Sequence, residues 1–157
     1  MTEEEAKMLG VPYGESDSQS ALEAYALLRA MQKWSTKLKR RGFFIKSDSM
    51  VALAVTRKLA SSTPALNFIA AEMSILLSKL NCGRMQLIHV PGQLNKEADW
   101  LSRLEDGKEK PPLLGDVKIE EFKLEDKRVF HLPDPGSHPE LWGRGETELS
   151  SAFERLT

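Results

Sequence analysis

Leu27, Met31, Trp34 and Leu38 recur three or four residues apart, which places one apolar stripe on a helix facing a core. Ser20 followed by Glu23 forms a capping-box pattern that starts this helix. Lys33, Lys37, Lys39, Arg40 and Arg41 close it, where cations suit the helix dipole, and Gly42 is its stop. Phe43-Phe44-Ile45 then leads into Ser47-Asp48-Ser49, a short apolar run that reads as a buried strand. Residues 50–59 form a short helix. Pro64 opens the next, which runs to about Leu80 on Phe68, Ile69, Met73, Ile75 and Leu76 and stops at Asn81-Cys82-Gly83. Residues 85–90 read as a second strand, Pro91-Gly92 as a turn and residues 95–104 as a last helix. Strands separated by helices predict parallel pairing in an α/β layer. Two strands make a small sheet.

Both flanks lose this periodicity. Residues 1–17 carry Gly10, Pro12 and Gly14 and read as a flexible lead-in. Residues 105–157 are charged and rich in Pro and Gly and read as a largely irregular tail, with one short helix over 146–156. The expected organisation is therefore a lead-in (1–17), a folded unit (18–104) and a tail (105–157).

Composition narrows the setting. Of 157 residues, 41% are hydrophobic and 29% charged, with a formal net charge of −1. No global basic field announces a nucleic-acid binder; the positive charge sits locally between Lys33 and Arg41. The single cysteine, Cys82, fits a reducing compartment and rules out a Cys-rich zinc module. No apolar run is long enough for a membrane span and no signal-peptide pattern opens the chain, so the expectation is a cytosolic or nuclear protein without a membrane partner.

Three acids stand at places where chemistry is possible. Asp48 closes a strand, and side chains at carboxyl strand ends line the functional crevice of α/β sheets. Glu23 lies early in the first helix, and Asp99 lies four residues after Asn95. Gathered carboxylates hold hard cations such as Mg²⁺, and paired ions activate water in phosphodiester hydrolysis. Each acid also has a purely structural role open to it: Glu23 completes the capping box, Asp48 caps the next helix, and Asp99 occupies a solvated helix face. Trp34 and Trp100 read as core residues, His89 as a structural residue.

Three segments taken together resemble a family. Ser20-Ala-Leu-Glu23-Ala-Tyr-Ala-Leu-Leu-Arg-Ala-Met31 resembles the ribonuclease H helix that carries a metal-binding Glu. Phe43-Phe-Ile-Lys-Ser-Asp48-Ser-Met-Val-Ala-Leu53 resembles the strand followed by Asp-Ser. Ile88-His-Val-Pro-Gly-Gln-Leu-Asn95-Lys-Glu-Ala-Asp99-Trp-Leu-Ser-Arg-Leu104 resembles the ending of ribonuclease H-like domains in retrotransposon reverse transcriptase polyproteins. The resemblance implies a partial ribonuclease H-like fold: a short parallel sheet flanked by helices, with the N-terminal β-meander missing. It implies a hydrolase that cleaves the RNA strand of RNA–DNA hybrids with Mg²⁺ or Mn²⁺. Glu23, Asp48 and Asp99 would be its catalytic metal ligands. The family's first Asp has no counterpart here, so this chain is expected to be inactive or weak unless the remaining reverse transcriptase/ribonuclease H portion partners it. Lys39, Arg40, Arg41, Lys46, Asn95 and Arg103 are the candidate contacts to nucleic acid, held through phosphates and 2′-hydroxyls. The alternative is a non-catalytic nucleic-acid-binding or connection module of a reverse transcriptase.

Overall fold

The computed structural model describes residues 3–14, 18–102, 111–116 and 130–142. Its elements in chain order are α1 (Glu3–Leu9), α2 (Gln19–Lys33), α3 (Ser35–Leu38), β1 (Phe43–Ser47), α4 (Met50–Lys58), α5 (Pro64–Leu80), β2 (Met85–His89), α6 (Lys96–Ser102) and α7 (Pro139–Trp142). The architecture is mixed α/β. Among the described residues the sheet has two strands, β1 and β2, paired in parallel with Phe43 opposite Met85 and Ser47 opposite His89. The predicted parallel pairing is therefore present.

Alternation along the strands sorts their side chains. Phe43, Ile45, Met85 and Leu87 face inward and pack with Met31, Leu53, Leu76 and Leu77. Phe44, Lys46 and Ile88 point the other way and are exposed. Helices thus cover one face of the sheet. Ser49 caps α4, its hydroxyl accepting from Ala52 N–H at 3.1 Å. The far end of α4 closes through Leu59 and that of α5 through Asn81, both left-handed.

The larger core lies among the helices. Leu28, Phe68, Ile69 and Met73 are fully buried, where α2 packs on α4 and α5. Two flanking segments join them. Residues 3–9, expected as part of a flexible lead-in, form α1, and its Leu9 sits in the main core. The Tyr25 hydroxyl donates to Glu5 at 3.1 Å and ties α1 to α2. Of the tail, residues 130–142 pack on the same core through Phe130, Leu132, Leu141 and Trp142. The Phe130 ring meets Phe68 at 5.2 Å, and the Trp142 ring meets Phe68 edge-on at 5.3 Å. Gly136 passes so close to α1 that a Cβ there would fall 1.9 Å from the Lys7 carbonyl oxygen, and its N–H donates to the Met8 carbonyl. Among the described residues of this region, regular structure consists of one turn at Pro112–Leu114 and α7. The short helix expected over 146–156 lies outside the described residues.

The first long helix departs from its expected form. It starts at Gln19, with Ser18 before it donating its hydroxyl to the Pro12 carbonyl, so Ser20 lies inside the helix and forms no capping box with Glu23. It breaks at Trp34 instead of running to Gly42. Trp34 is 50% exposed and does not join the core. The break turns α3 and the following loop toward the end of α5, where Arg40 N–H donates to the Leu80 carbonyl. Arg40 adopts a left-handed backbone (φ 59°) to make this turn, which costs an L-residue about 1–2 kcal/mol.

Candidate functional site

The carboxyl end of the sheet is where the predicted residues meet. Val90 N–H donates to the Ser47 carbonyl at 3.0 Å, so the two chains leave β1 and β2 side by side. Asp48 stands at the corner after β1. On either side of it, Ser49 N–H donates to the Ser47 hydroxyl and the Ser49 hydroxyl caps α4. The neighbouring serine thus takes the capping role that was open to Asp48, whose carboxylate is exposed beyond the sheet.

The loop after β2 comes over this carboxylate. Gly92–Leu94 forms a single tight turn, and Asn95 follows it. Asn95 Nδ2 donates to Asp48 Oδ1 at 3.2 Å. The loop lies against the acid: a Cβ on Gly92 would stand in ordinary contact with it, 3.5 Å from Asp48 Oδ2. Asp99 is one helical turn beyond, its N–H donating to the Asn95 carbonyl at 3.0 Å, and it is exposed on α6. Asp48 and Asn95 therefore meet from two segments far apart in the chain, with Asp99 one helical turn further along α6.

Glu23 is elsewhere. It is half-buried near the start of α2 and accepts a hydrogen bond from Gln19 Nε2 at 2.9 Å. Among the described residues no group of three or more His, Cys, Asp or Glu side chains is placed to hold a metal ion. A hard dication needs several oxygen ligands converging at 2.0–2.6 Å. The carboxylates that the resemblance assigns to Mg²⁺ or Mn²⁺, Glu23, Asp48 and Asp99, do not form such a group.

The expected cationic residues fall in two places. Lys39, Arg40 and Arg41 are exposed on the loop between α3 and β1, and Lys46 is exposed on the outer face of β1. The loop is held from both sides: Arg41 N–H donates to the Leu38 carbonyl, and Gly83 N–H to the Arg41 carbonyl. The second bond brings the loop of Arg41 beside that of Arg84, which is also exposed. Arg84 belongs to this basic rim and carried no local signal; only pairing between distant loops reveals it. Arg103 lies outside the described residues. His89 is exposed at the end of β2.

A second polar cluster was not foreseen. Glu72 is 1% exposed within α5. Its Oε1 accepts from the N–H groups of His131 (2.6 Å) and Leu132 (2.7 Å). His131 Nδ1 lies 3.0 Å from Oε2 and His131 Nε2 lies 2.7 Å from Lys79 Nζ. A lysine ammonium only donates, so Nε2 accepts and the proton sits on Nδ1, directed at Glu72. This cluster is a structural clamp that pins residues 130–132 to α5. The place of Glu72 on the apolar stripe of α5, four residues from both Phe68 and Leu76, is the signal that could have found it, although its partners lie far along the chain.

Among the described residues no helix is long and apolar enough to cross a membrane. No family model, no curated protein and no solved structure matches this chain.

Proposed function

We propose that residues 18–104 are a partial ribonuclease H-like domain of retroelement origin. The ancestral reaction of such a domain is metal-dependent cleavage of the RNA strand in an RNA–DNA hybrid. One observation carries the reading: parallel pairing of β1 and β2 joins the Asp48 segment to the Pro91-to-Asp99 segment through the Asn95–Asp48 hydrogen bond. These are two of the three segments that resemble the family, and they meet where an α/β sheet places its functional crevice.

The residues that match the family supply three of its four site acids, so this chain by itself cuts slowly or not at all. A hybrid-cleavage assay in Mg²⁺ and in Mn²⁺ tests the claim. The expected result is no turnover above a protein-free control. Robust turnover that Asp48→Asn abolishes would overturn it.

The exposed rim of Lys39, Arg40, Arg41 and Arg84 favours a second reading, a non-catalytic module that binds a hybrid through its phosphates. Anisotropy with a labelled RNA–DNA hybrid checks this. The Arg40→Glu/Arg41→Glu double variant is expected to bind at least about tenfold more weakly, with a salt dependence reduced by roughly one unit of slope per lost contact. Equal affinity of the variant and the native chain rejects the rim as the contact.

A further inference from the structure

Among the described residues β2 pairs on one side only, with β1. Phe43 N–H donates to the Arg84 carbonyl and Val90 N–H to the Ser47 carbonyl, so Arg84 and Val90 direct their backbone groups toward β1. Direction alternates along a strand, and Gln86 and Ile88 follow suit. Met85, Leu87 and His89 must then turn their N–H and C=O groups the other way. On that side no strand is paired among the described residues.

Natural edges are commonly blunted by proline, lysine or a bulge. Met85–His89 contains no proline or lysine, and its register against β1 is unbroken. Beside it lies a groove of about 520 Å³ lined by Arg57, residues 84–87 and Ile88. Arg57 and Arg84 are both exposed at this groove.

We propose that this groove is a docking site for an extended acidic segment of another protein, added to the sheet as a third strand beside β2. Main-chain hydrogen bonds to Met85, Leu87 and His89 supply the attachment, and carboxylates opposite Arg57 and Arg84 select the sequence. A second copy of this chain is the poorer occupant. Two-fold pairing of β2 edges is self-complementary, but Met85–His89 contains no Asp or Glu to set beside Arg57 and Arg84.

The test uses the full chain and a fluorescein-labelled hexapeptide, acetyl-(Glu-Val)₃-amide. Saturable binding is expected, weaker by at least about tenfold when Lys replaces Glu in the peptide and in the Arg57→Glu/Arg84→Glu variant. Both arginines are exposed, and a far-UV spectrum confirms that the variant stays folded. Two further peptides carry N-methyl groups on alternate residues, one in each phase. Only the phase that strips donors from the docked edge should abolish binding. Absence of saturable binding, binding blind to charge, or binding indifferent to both methylation phases overturns the proposal. A concentration-dependent dimer that the peptide dissolves would identify a second copy as the occupant and overturn it too.

Discussion

Phe68 on α5 is 0% exposed and meets two other aromatic rings, while Phe44 on β1 is 63% exposed. The two residues mark two regions finished to different degrees. On the helical side, the apolar positions of α5 are covered by α2, by α4 and by the returning residues 130–142. On the sheet side, helices cover the inner face only. Its core contains three buried residues, Met31, Ile45 and Leu53. Stability is therefore concentrated among the helices, and available surface is concentrated on the sheet. Both candidate sites, the Asp48 corner and the β2 edge, lie on the side with less to lose from being accessible.

The comparison breaks most sharply at the two phenylalanines. Phe68→Ala is expected to cost about 3–5 kcal/mol of unfolding free energy, from lost burial and an unfilled cavity. Phe44→Ala is expected to stay within about 0.5 kcal/mol. Urea denaturation of both variants measures the contrast. Comparable losses would mean that the outer sheet face is covered.

Glu72 tests whether the tail segment belongs to the helical core. Glu72→Ala removes the acceptor for two backbone N–H groups, and about 2 kcal/mol should be lost. Glu72→Gln keeps one oxygen acceptor and should cost less. Amide exchange at His131 and Leu132 reports the site directly: both amides should exchange faster in the alanine variant. Unchanged exchange would detach the clamp from the fold.

Tyr25 gives a smaller effect that depends on pH. Burial pushes its hydroxyl well above the ordinary 10.0, with the nearby Arg29 acting in the opposite direction and Glu5 reinforcing the rise. Above pH 10 the unfolded chain loses this proton while the folded chain keeps it, so the folded state binds more protons. Stability is accordingly intact below pH 10 and falls as pH rises beyond it, by at most about 1.4 kcal/mol per pH unit. Tyr25→Phe should flatten that decline in a pH series of thermal melts. An unchanged slope would assign the decline to other groups.

Local pattern was a good guide where an element is defined by its own residues. The strands at Phe43–Ser47 and Met85–His89, and the helices at Met50–Lys58 and Pro64–Leu80, stand close to their expected bounds. It was a poor guide where the outcome depends on a distant partner. Trp34 shares the spacing of Leu27 and Met31, but the helix breaks there and the ring faces solvent. Residues 3–9 have few apolar positions, and Leu9 is buried only because α2 and the tail segment enclose it. The candidate site divides the same way. Asp48 was visible from its place at a strand end, whereas Asn95 reaches it from 47 positions away. Glu23 matched a motif, yet its helix starts before that motif and its carboxylate faces Gln19.

By itself, the sequence determined the order of helices and strands and the parallel sense of the pair, because periodicity and stop residues act over a few positions and a helical crossover leaves little choice of direction. Only the tertiary structure decided the rest. It chose which apolar residues became core, gave the tail segment its clamp on Glu72, brought Arg84 to the basic rim, set Asp48 against Asn95, and left the edge of β2 without a paired strand among the described residues. Each of these depends on groups remote in the chain arriving at one place, and that is a property of packing, not of local spacing.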